Sequence, residues 1–547
     1  MYQIVFSLLL FFNMGFATGE SFFFESVSDR LRAILENSEP GESLRVRGIS
    51  LGKVEELQVF YSNRSFDEAW SEQGILTEWA YELRFEIKQA QFDGLQPKDY
   101  HIELIDAFFA SFEQNKKSKT INPAEEVAEL DLLLTDAFFR LATHLERGKV
   151  DPSQLKSPWD ITRKSSRINA ISLLVQALER KEIRKSLEQL YPSFSIYKRG
   201  REVIRSLDEK AKEDSLDWKV IKVDKSLKVN DSHAVIPVVR ERLIFWGYLK
   251  PYSLTDPKKY DSTLFESVKA YQVKNGMEPD GAIGKNTVAS LNASPRMLMD
   301  KASINLERLR WLPDTIKEAE LVLVNIANYR LDYIQRLDTL FSSKVIVGKS
   351  FHASPIFSSP LTYLVFSPYW NIPASIARNE IIPSVRKNPN YLEQKRMEVV
   401  TTSGKSVDPS QINWSSKNFP YLIRQKPGPD NSLGSVKFMF PNKYSVYIHD
   451  TPSKSLFLRE DRALSHGCIR LQNPEKFAAL LLRDQPQWTE AKIKEAMSRD
   501  SELIVNLKSK IPVVLVYLTF WADSKGEPHF RPDIYNRDAE LIALLKR

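Results

Sequence analysis

The sequence predicts a multidomain α+β chain: a helical scaffold, a small three-helix module, and a mostly-β domain with a capping insertion. Three observations predict it. Apolar residues recur at helical spacing through residues 20–225, short helical stripes surround a glycine-containing turn in 226–300, and β-branched and aromatic runs dominate from 301 to 547. A chain of 547 residues has room for two to four domains of about 150 residues each.

Hydrophobic residues make up 42% and charged residues 27%, enough apolar material for several cores. The formal net charge of +7 is small for this size, and the charges are interspersed. No arginine-rich block or aromatic RNA-binding signature appears, so nucleic acid is not an expected partner.

Residues 4–12 form an apolar run too short for a comfortable membrane span. Asn13-Met14-Gly15 and Ala17-Thr18-Gly19 follow, small residues suited to cleavage before Glu20. We expect 1–19 to be a signal peptide, although its start carries no Lys or Arg; a retained N-terminal anchor is the alternative. Export makes the lone cysteine conspicuous, because structural cysteines pair in oxidising compartments.

In the scaffold, Leu76, Trp79, Leu83 and Ile87 form one helical stripe, and the run from Asp131 to Leu134 with Phe138, Phe139 and Leu141 forms another. Phe60, Trp70 and Trp159 are expected in cores, and the basic run at 115–119 as a solvated loop. In 226–300, Val238, Leu243, Leu249, Leu264, Val268, Tyr271, Val288 and Leu291 line short helices around Met277-Glu278-Pro279-Asp280-Gly281-Ala282-Ile283-Gly284. Those pieces, with Ala270-Tyr271-Gln272, resemble the small three-helix peptidoglycan-binding module, with Asp280 and the glycines shaping the turn. Beyond 301, β-rich runs at 320–326, 344–348, 363–367, 445–449 and 513–520 predict strands. Between them, 375–423 is rich in Arg, Lys, Asn and Pro and is expected as an insertion covering one end of the β domain.

The chemistry concentrates in Ser465-His466-Gly467-Cys468-Ile469-Arg470, which holds the only cysteine, and in Tyr447-Ile448-His449-Asp450 upstream. A thiol becomes a nucleophile when an imidazole takes its proton, and either His449 or His466 is close enough in sequence to do so. Gly467 and Cys468 can turn their N–H groups toward an oxyanion. Together these residues predict acyl transfer through a thioester. The same set, His449, His466 and Cys468 with Asp450, could supply four zinc ligands, but no His-Glu-x-x-His or Cys-x-x-Cys accompanies it, so neither metal nor cofactor is expected.

His449, fifteen residues and then Ser465 to Arg470 resemble the signature of the L,D-transpeptidases, the YkuD-type catalytic domain. Pro368-Tyr369-Trp370-Asn371-Ile372-Pro373, Gly428-Pro429-Asp430-Asn431, Val436-Lys437-Phe438-Met439-Phe440 and Phe530-Arg531-Pro532-Asp533-Ile534-Tyr535 resemble its large periplasmic branch. The resemblance implies Cys468 as nucleophile, His449 as general base held by a backbone carbonyl, His466 as support and Gly467 as an oxyanion N–H. Arg470, Tyr447, Trp370 and Ser465 are the implied substrate-side residues. It also implies the partners: a tetrapeptide stem as donor, a diaminopimelate amine as acceptor, 3→3 cross-links as product, and carbapenem-type inhibitors at Cys468.

Three other readings remain at this point. Water could resolve the thioester, giving an L,D-carboxypeptidase or endopeptidase, or the same thiol could attach a protein to the wall. A non-catalytic wall-binding scaffold is the third, disfavoured because Cys468 and His449 are both present. Ser195-Ile196-Tyr197-Lys198 fits Ser-x-x-Lys, yet it lies in the helical region without a following Lys-Thr-Gly.

Overall fold

The computed structural model of the protein describes residues 26–38, 44–52, 54–162, 169–313, 320–336, 338–416 and 418–547. The expected leader at 1–19 lies outside them. The chain divides into two compact units, one of residues 1–85, 98–140 and 174–183, the other of 86–97, 141–173 and 184–547. The helical region expected over 20–225 is therefore shared between them.

The first unit is helical around an aromatic core. Phe60 and Trp70 are fully buried. The buried Asp131 carboxylate accepts from Tyr61 Oη at 2.6 Å and from the N–H groups of Ala69 and Trp70 at 3.0 and 2.9 Å. Burial nonetheless pushes its carboxyl up to about 6. The basic run expected as a loop is the exposed last turn of helix Ile102–Ser118, where Lys116 and Lys117 complement the helix dipole.

In the second unit, helix Ser195–Glu213 packs on helix Pro295–Arg310. A Cβ on Gly200 would come within 2.7 Å of the end of the Leu306 side chain, which would have to shift to admit it. A buried polar cluster pins the same junction. Tyr197 donates to Asp93 at 2.8 Å, and Arg310 donates at 2.8 Å to both Tyr197 Oη and the Asp93 carbonyl. Such a cluster is costly to break because each member would be left buried and unpaired. This explains why residues 86–97 and 184–213 belong with the C-terminal part and not with the other scaffold helices.

The small module consists of helices Ile236–Phe245, Ser262–Lys274 and Lys285–Leu291 around Val239, Leu243, Leu264, Val268, Val288 and Leu291. Asp280 Oδ1 accepts from Gln272 Nε2 and the Ala282 N–H, at 2.8 and 2.9 Å, and Gln272 in turn accepts the Gly281 N–H at 2.8 Å. The turn is built from within, as its residues predict.

The C-terminal domain is a sheet closed on itself. Its strands are β1 (Leu321–Asn325), β2 (Arg330–Gln335), β3 (Asp338–Gly348), β4 (Ile356–Phe366), β5 (Val436–Met439), β6 (Ile448–His449), β7 (Ala463–Ser465), β8 (Ile469–Leu471) and β9 (Leu503–Val516). They run in the order β5-β6-β8-β3-β2-β1-β9-β4, and β4 pairs back to β5. Closure removes the free edges that an open sheet would expose. Phe477 from helix Pro474–Leu481 packs on the rings of Tyr333, Phe341 and Phe438. The two-residue strand Trp159–Asp160 adds to β4 from the helical side of the sequence, so half-buried Trp159 belongs with this domain and meets Trp311 edge-on at 5.1 Å.

The expected insertion at 375–423 is a folded subdomain slightly wider than its polar composition suggests. Trp370–Asn371, Leu422–Gln425, Met397–Val400 and Ser406–Val407 form a four-stranded sheet in that order. Ile372, Ile381, Val385, Leu392, Val399 and Ile423 give it a core of its own. Those apolar residues are spaced among Arg, Lys and Pro, which hides both helices and core from a compositional reading.

Candidate active site

Cys468 sits just before β8, and His449 ends β6. These strands pair in parallel, with Ile448 opposite Ile469 and His449 opposite Arg470. Ile448 and Ile469 are fully buried toward the core. Side chains alternate along a strand, so Tyr447, His449, Cys468 and Arg470 share the other face. The Ile469 N–H donates to the Tyr447 carbonyl at 3.1 Å and fixes that register.

The nucleophile turn is held tightly. Gly467 has φ +118°, a conformation suited to glycine. Its N–H donates to Ser465 Oγ at 3.0 Å, while Ser465 Oγ donates to the Cys468 carbonyl at 2.6 Å. Ser354 Oγ donates to the Gly467 carbonyl at 2.8 Å and accepts the Gly348 N–H at 3.0 Å. Tyr535 Oη donates to the Gly348 carbonyl at 2.6 Å. A Cβ on Gly348 would lie 2.0 Å from the His352 carbonyl and 3.1 Å from Gly467 Cα, so β3 and the turn meet backbone to backbone.

Two expectations change here. Ser465 is buried and spends its hydroxyl clamping the turn, so it is not a substrate contact. Gly467 has already committed its N–H to Ser465, so it cannot also supply the oxyanion N–H without breaking that clamp. Among the described residues the Cys468 N–H has no hydrogen-bond partner, which leaves it as the available donor. Ser354 and Tyr535 escape a sequence reading; only their position under the turn reveals them, although Tyr535 lies in the tail quoted above.

The His449 Nδ1 lies 2.5 Å from the Asp450 carbonyl oxygen. A carbonyl only accepts, so Nδ1 carries the proton and Nε2 is the ring's acceptor. The Asp450 carboxylate is engaged elsewhere, accepting from Ser435 N and Oγ at 2.9 and 2.8 Å and pairing with Lys454. The structure makes no hydrogen bond between Cys468 and His449 among the described residues. Instead Sγ lies 3.8 Å from the Ser445 carbonyl. Catalytic contacts of this kind commonly tighten only when substrate is bound.

Burial pushes the Cys468 thiol up, opposed by Tyr447 and Arg470. Burial first, and the Arg470 guanidinium second, pull His449 down to about 3. The resting pair at neutral pH is therefore a neutral thiol and a neutral imidazole. Arg470 is half-buried, forms no ion pair among the described residues, and leaves Nε without a hydrogen bond.

Among the described residues, His466 contacts the insertion and the loop after β3, not Cys468 or His449. Its Nε2 meets Glu380 Oε1 at 2.9 Å, and its ring lies 5.6 Å from that of His352. Glu380 belongs to a π-helical turn, Ala377–Ile381, in the insertion, a feature frequent at functional sites. Trp370, expected as a pocket wall, pairs with Gln425 in the insertion's own sheet and packs on that subdomain's core. Among the described residues no three His, Cys, Asp or Glu side chains are arranged to hold a metal ion.

Comparison with known proteins agrees with this architecture. Family models match residues 55–203 as "Scaffold domain", 232–291 as "Putative peptidoglycan binding domain" and 319–493 as "L,D-transpeptidase catalytic domain". A Haemophilus influenzae protein named "Putative L,D-transpeptidase" is 34% identical over 246 residues, 45% of this chain and 49% of that protein. The matched stretch thus spans about half the length of that relative. Solved structures of L,D-transpeptidases from Xylanimonas cellulosilytica and Stackebrandtia nassauensis each cover 54% of this chain, and 100% and 97% of their own. Both are 12% identical, with TM-scores of 0.16 and 0.20, too low to carry an argument. By these family matches the chain carries a YkuD-type L,D-transpeptidase catalytic domain behind a scaffold domain and a peptidoglycan-binding domain.

Proposed function

We propose that the protein is an L,D-transpeptidase that forms 3→3 cross-links between diaminopimelate residues of peptidoglycan stems. The observation that carries this is the placement of the lone thiol, an imidazole with a fixed tautomer and an unpaired guanidinium on one face of two adjacent strands. Cys468 Sγ attacks the carbonyl of the L,D bond before the terminal D-Ala, and the thiol proton passes to His449 Nε2. The Cys468 N–H faces the oxyanion. D-Ala leaves with the proton from His449, and the stem remains on sulfur as a thioester.

The side-chain amine of a second stem's diaminopimelate then attacks the thioester. Its proton goes to His449 and onward to the departing sulfur, which restores the thiol. Arg470 offers a planar fork to a stem carboxylate, and Tyr447 steadies the sulfur. Carbapenems acylate Cys468 by the same attack on a carbonyl. The substrate and the apolar run at 4–12 together support a periplasmic location after export.

Incubation with a disaccharide-tetrapeptide followed by mass analysis tests the reading. A cross-linked dimer with loss of D-Ala is expected. Tripeptide alone would reassign the enzyme as a hydrolase, and an unchanged substrate would remove the proposal altogether.

A further inference from the structure

A concave surface of about 880 Å³ lies between the turn after helix Ser262–Lys274 and the catalytic domain. One wall is the segment 275–279 of the small module; the other includes Tyr329, the start of β7 and the loop after β3. The two walls are in direct contact, since a Cβ on Gly276, at φ +70°, would lie 2.5 Å from the Arg531 guanidinium carbon.

Five cations line this groove: Lys344, Lys349, Arg459, Arg462 and Arg531. None of them has a carboxylate within ion-pair distance among the described residues. Arg531 donates only to neutral acceptors, Asn328 Oδ1 and the Phe530 carbonyl, each at 2.8 Å. Burial, and then repulsion from Arg330, pull its guanidinium down to about 10. Arg462 likewise donates to the Val345 and Arg459 carbonyls, at 3.2 and 2.8 Å. The three acids on the lining, Glu278, Glu460 and Asp461, are outnumbered, and Asp461 is already taken by Tyr329 Oη at 2.8 Å. Arg531 is a half-buried guanidinium without a counter-charge, which is costly, and an incoming anion lowers that cost.

The rim adds a second chemistry. Phe351 is 73% exposed and Leu458 76% exposed, so two large apolar side chains stand beside the cations. A ligand that combines carboxylates with sugar rings or alkyl chain meets both features.

The groove also touches the supports of the nucleophile. β7 begins at Ala463 on the groove and ends at Ser465, which clamps the turn of Cys468. The loop carrying Lys349 and Phe351 continues to His352, beside His466, and to Ser354, which donates to the Gly467 carbonyl.

We propose that this groove is a docking subsite for a carboxylate-bearing peptidoglycan stem, gripped by Lys349, Arg459, Arg462 and Arg531 and separate from the face that carries Cys468. The inference rests on peptidoglycan being the substrate. It assigns the small module and the catalytic domain one shared binding surface, which holds the wall polymer while a stem reaches the thiol.

The test uses the full chain and two readouts. Co-sedimentation with purified sacculi compares the unaltered protein with Lys349→Glu/Arg459→Glu and with Lys116→Glu/Lys117→Glu, which changes the net charge equally on an exposed helix end. Intact mass measures acyl-enzyme formation with a soluble disaccharide-tetrapeptide. Sacculus affinity should fall about tenfold in the groove variant and stay within about twofold in the helix-end variant. Acyl-enzyme formation by the unaltered protein reads the proposed activity separately from the groove. Equal sacculus binding by the groove variant, or an equal loss in the helix-end variant, would overturn the docking site. Absence of any acyl-enzyme in the unaltered protein would instead remove the proposed activity, while sedimentation still reads the groove. Should the double reversal lower the thermal midpoint, Lys349→Gln/Arg459→Gln replaces it, with the same loss of binding required.

Discussion

His449 and Arg470 stand opposite each other in the parallel pairing of β6 and β8, and the guanidinium is the second cause, after burial, of the low affinity of that imidazole for a proton. The acid limb of kcat/KM reports a base in the free enzyme, so in the native protein His449 adds no acid limb near neutrality. Arg470→Gln removes the repulsion but not the burial. Its acid limb should move upward from about 3, and kcat/KM should fall by one to two orders of magnitude from the lost carboxylate contact, worth about 1.5–3 kcal/mol. A pH–rate profile with an unmoved limb would show that the two groups do not sense each other.

The same depressed value has a consequence for stability. In the unfolded chain a histidine titrates near 6.5, whereas the folded His449 does so at about 3. Between those values the unfolded state holds more protons, so the contribution of His449 is full above about pH 6.5 and is lost on acidification toward pH 3. His449→Gln should flatten the decline of the denaturation midpoint over that window. Midpoints from pH 7 down to 4 measure it, and parallel declines in the two proteins would contradict the assignment.

Cys468 and His449 are also the residues on which acylation is expected to turn. Cys468→Ala should form no acyl-enzyme with stem or carbapenem. His449→Ala should acylate about 10²–10⁴-fold more slowly. Because burial keeps the resting thiol protonated, iodoacetamide should label Cys468 slowly at neutral pH and faster as the pH rises. Rapid labelling at neutral pH would require a preformed thiolate, contrary to this electrostatic picture.

Much of this site is legible in the sequence, because its parts lie close together in the chain. The Gly467 turn, the lone thiol and the strand before His449 are local signals, and strand periodicity puts Tyr447 and His449 on one face. The support from Ser354 and Tyr535 is not legible, since those residues reach Gly467 and Gly348 from distant segments through single hydroxyls. Ser465 misleads because a serine beside a nucleophile reads as a contact, while its burial is decided by the pairing of β7 with β3. Trp370 pairs into the insertion's sheet, a placement that its sequence neighbours do not announce. The junction of helices Ser195–Glu213 and Pro295–Arg310 rests on a cluster of Asp93, Tyr197 and Arg310 that no spacing rule joins.

Ser465→Ala distinguishes a clamp from a substrate contact. The variant removes the acceptor of the Gly467 N–H and the donor to the Cys468 carbonyl. Leaving buried partners unpaired costs about 1–3 kcal/mol each, so the thermal midpoint should drop by several degrees. With the turn loosened, kcat should fall while KM changes little. A rise in KM at unchanged kcat and stability would restore Ser465 to the substrate side.

The Glu380–His466 pair joins the insertion to the nucleophile turn at 2.9 Å, with both side chains substantially exposed. Exposed pairs contribute about 0–1 kcal/mol, so Glu380→Gln should leave the denaturation midpoint nearly unchanged. The insertion has its own core, to which that contact does not belong. What the pair can set is how often the π-helical turn at Ala377–Ile381 rests against the catalytic turn. Glu380→Gln should therefore exchange backbone amides faster at 377–394 and raise KM for the stem several-fold, with acylation of Cys468 at saturating stem unaltered. Unchanged exchange together with an unchanged KM would mean that the pair is a surface contact without influence on the site.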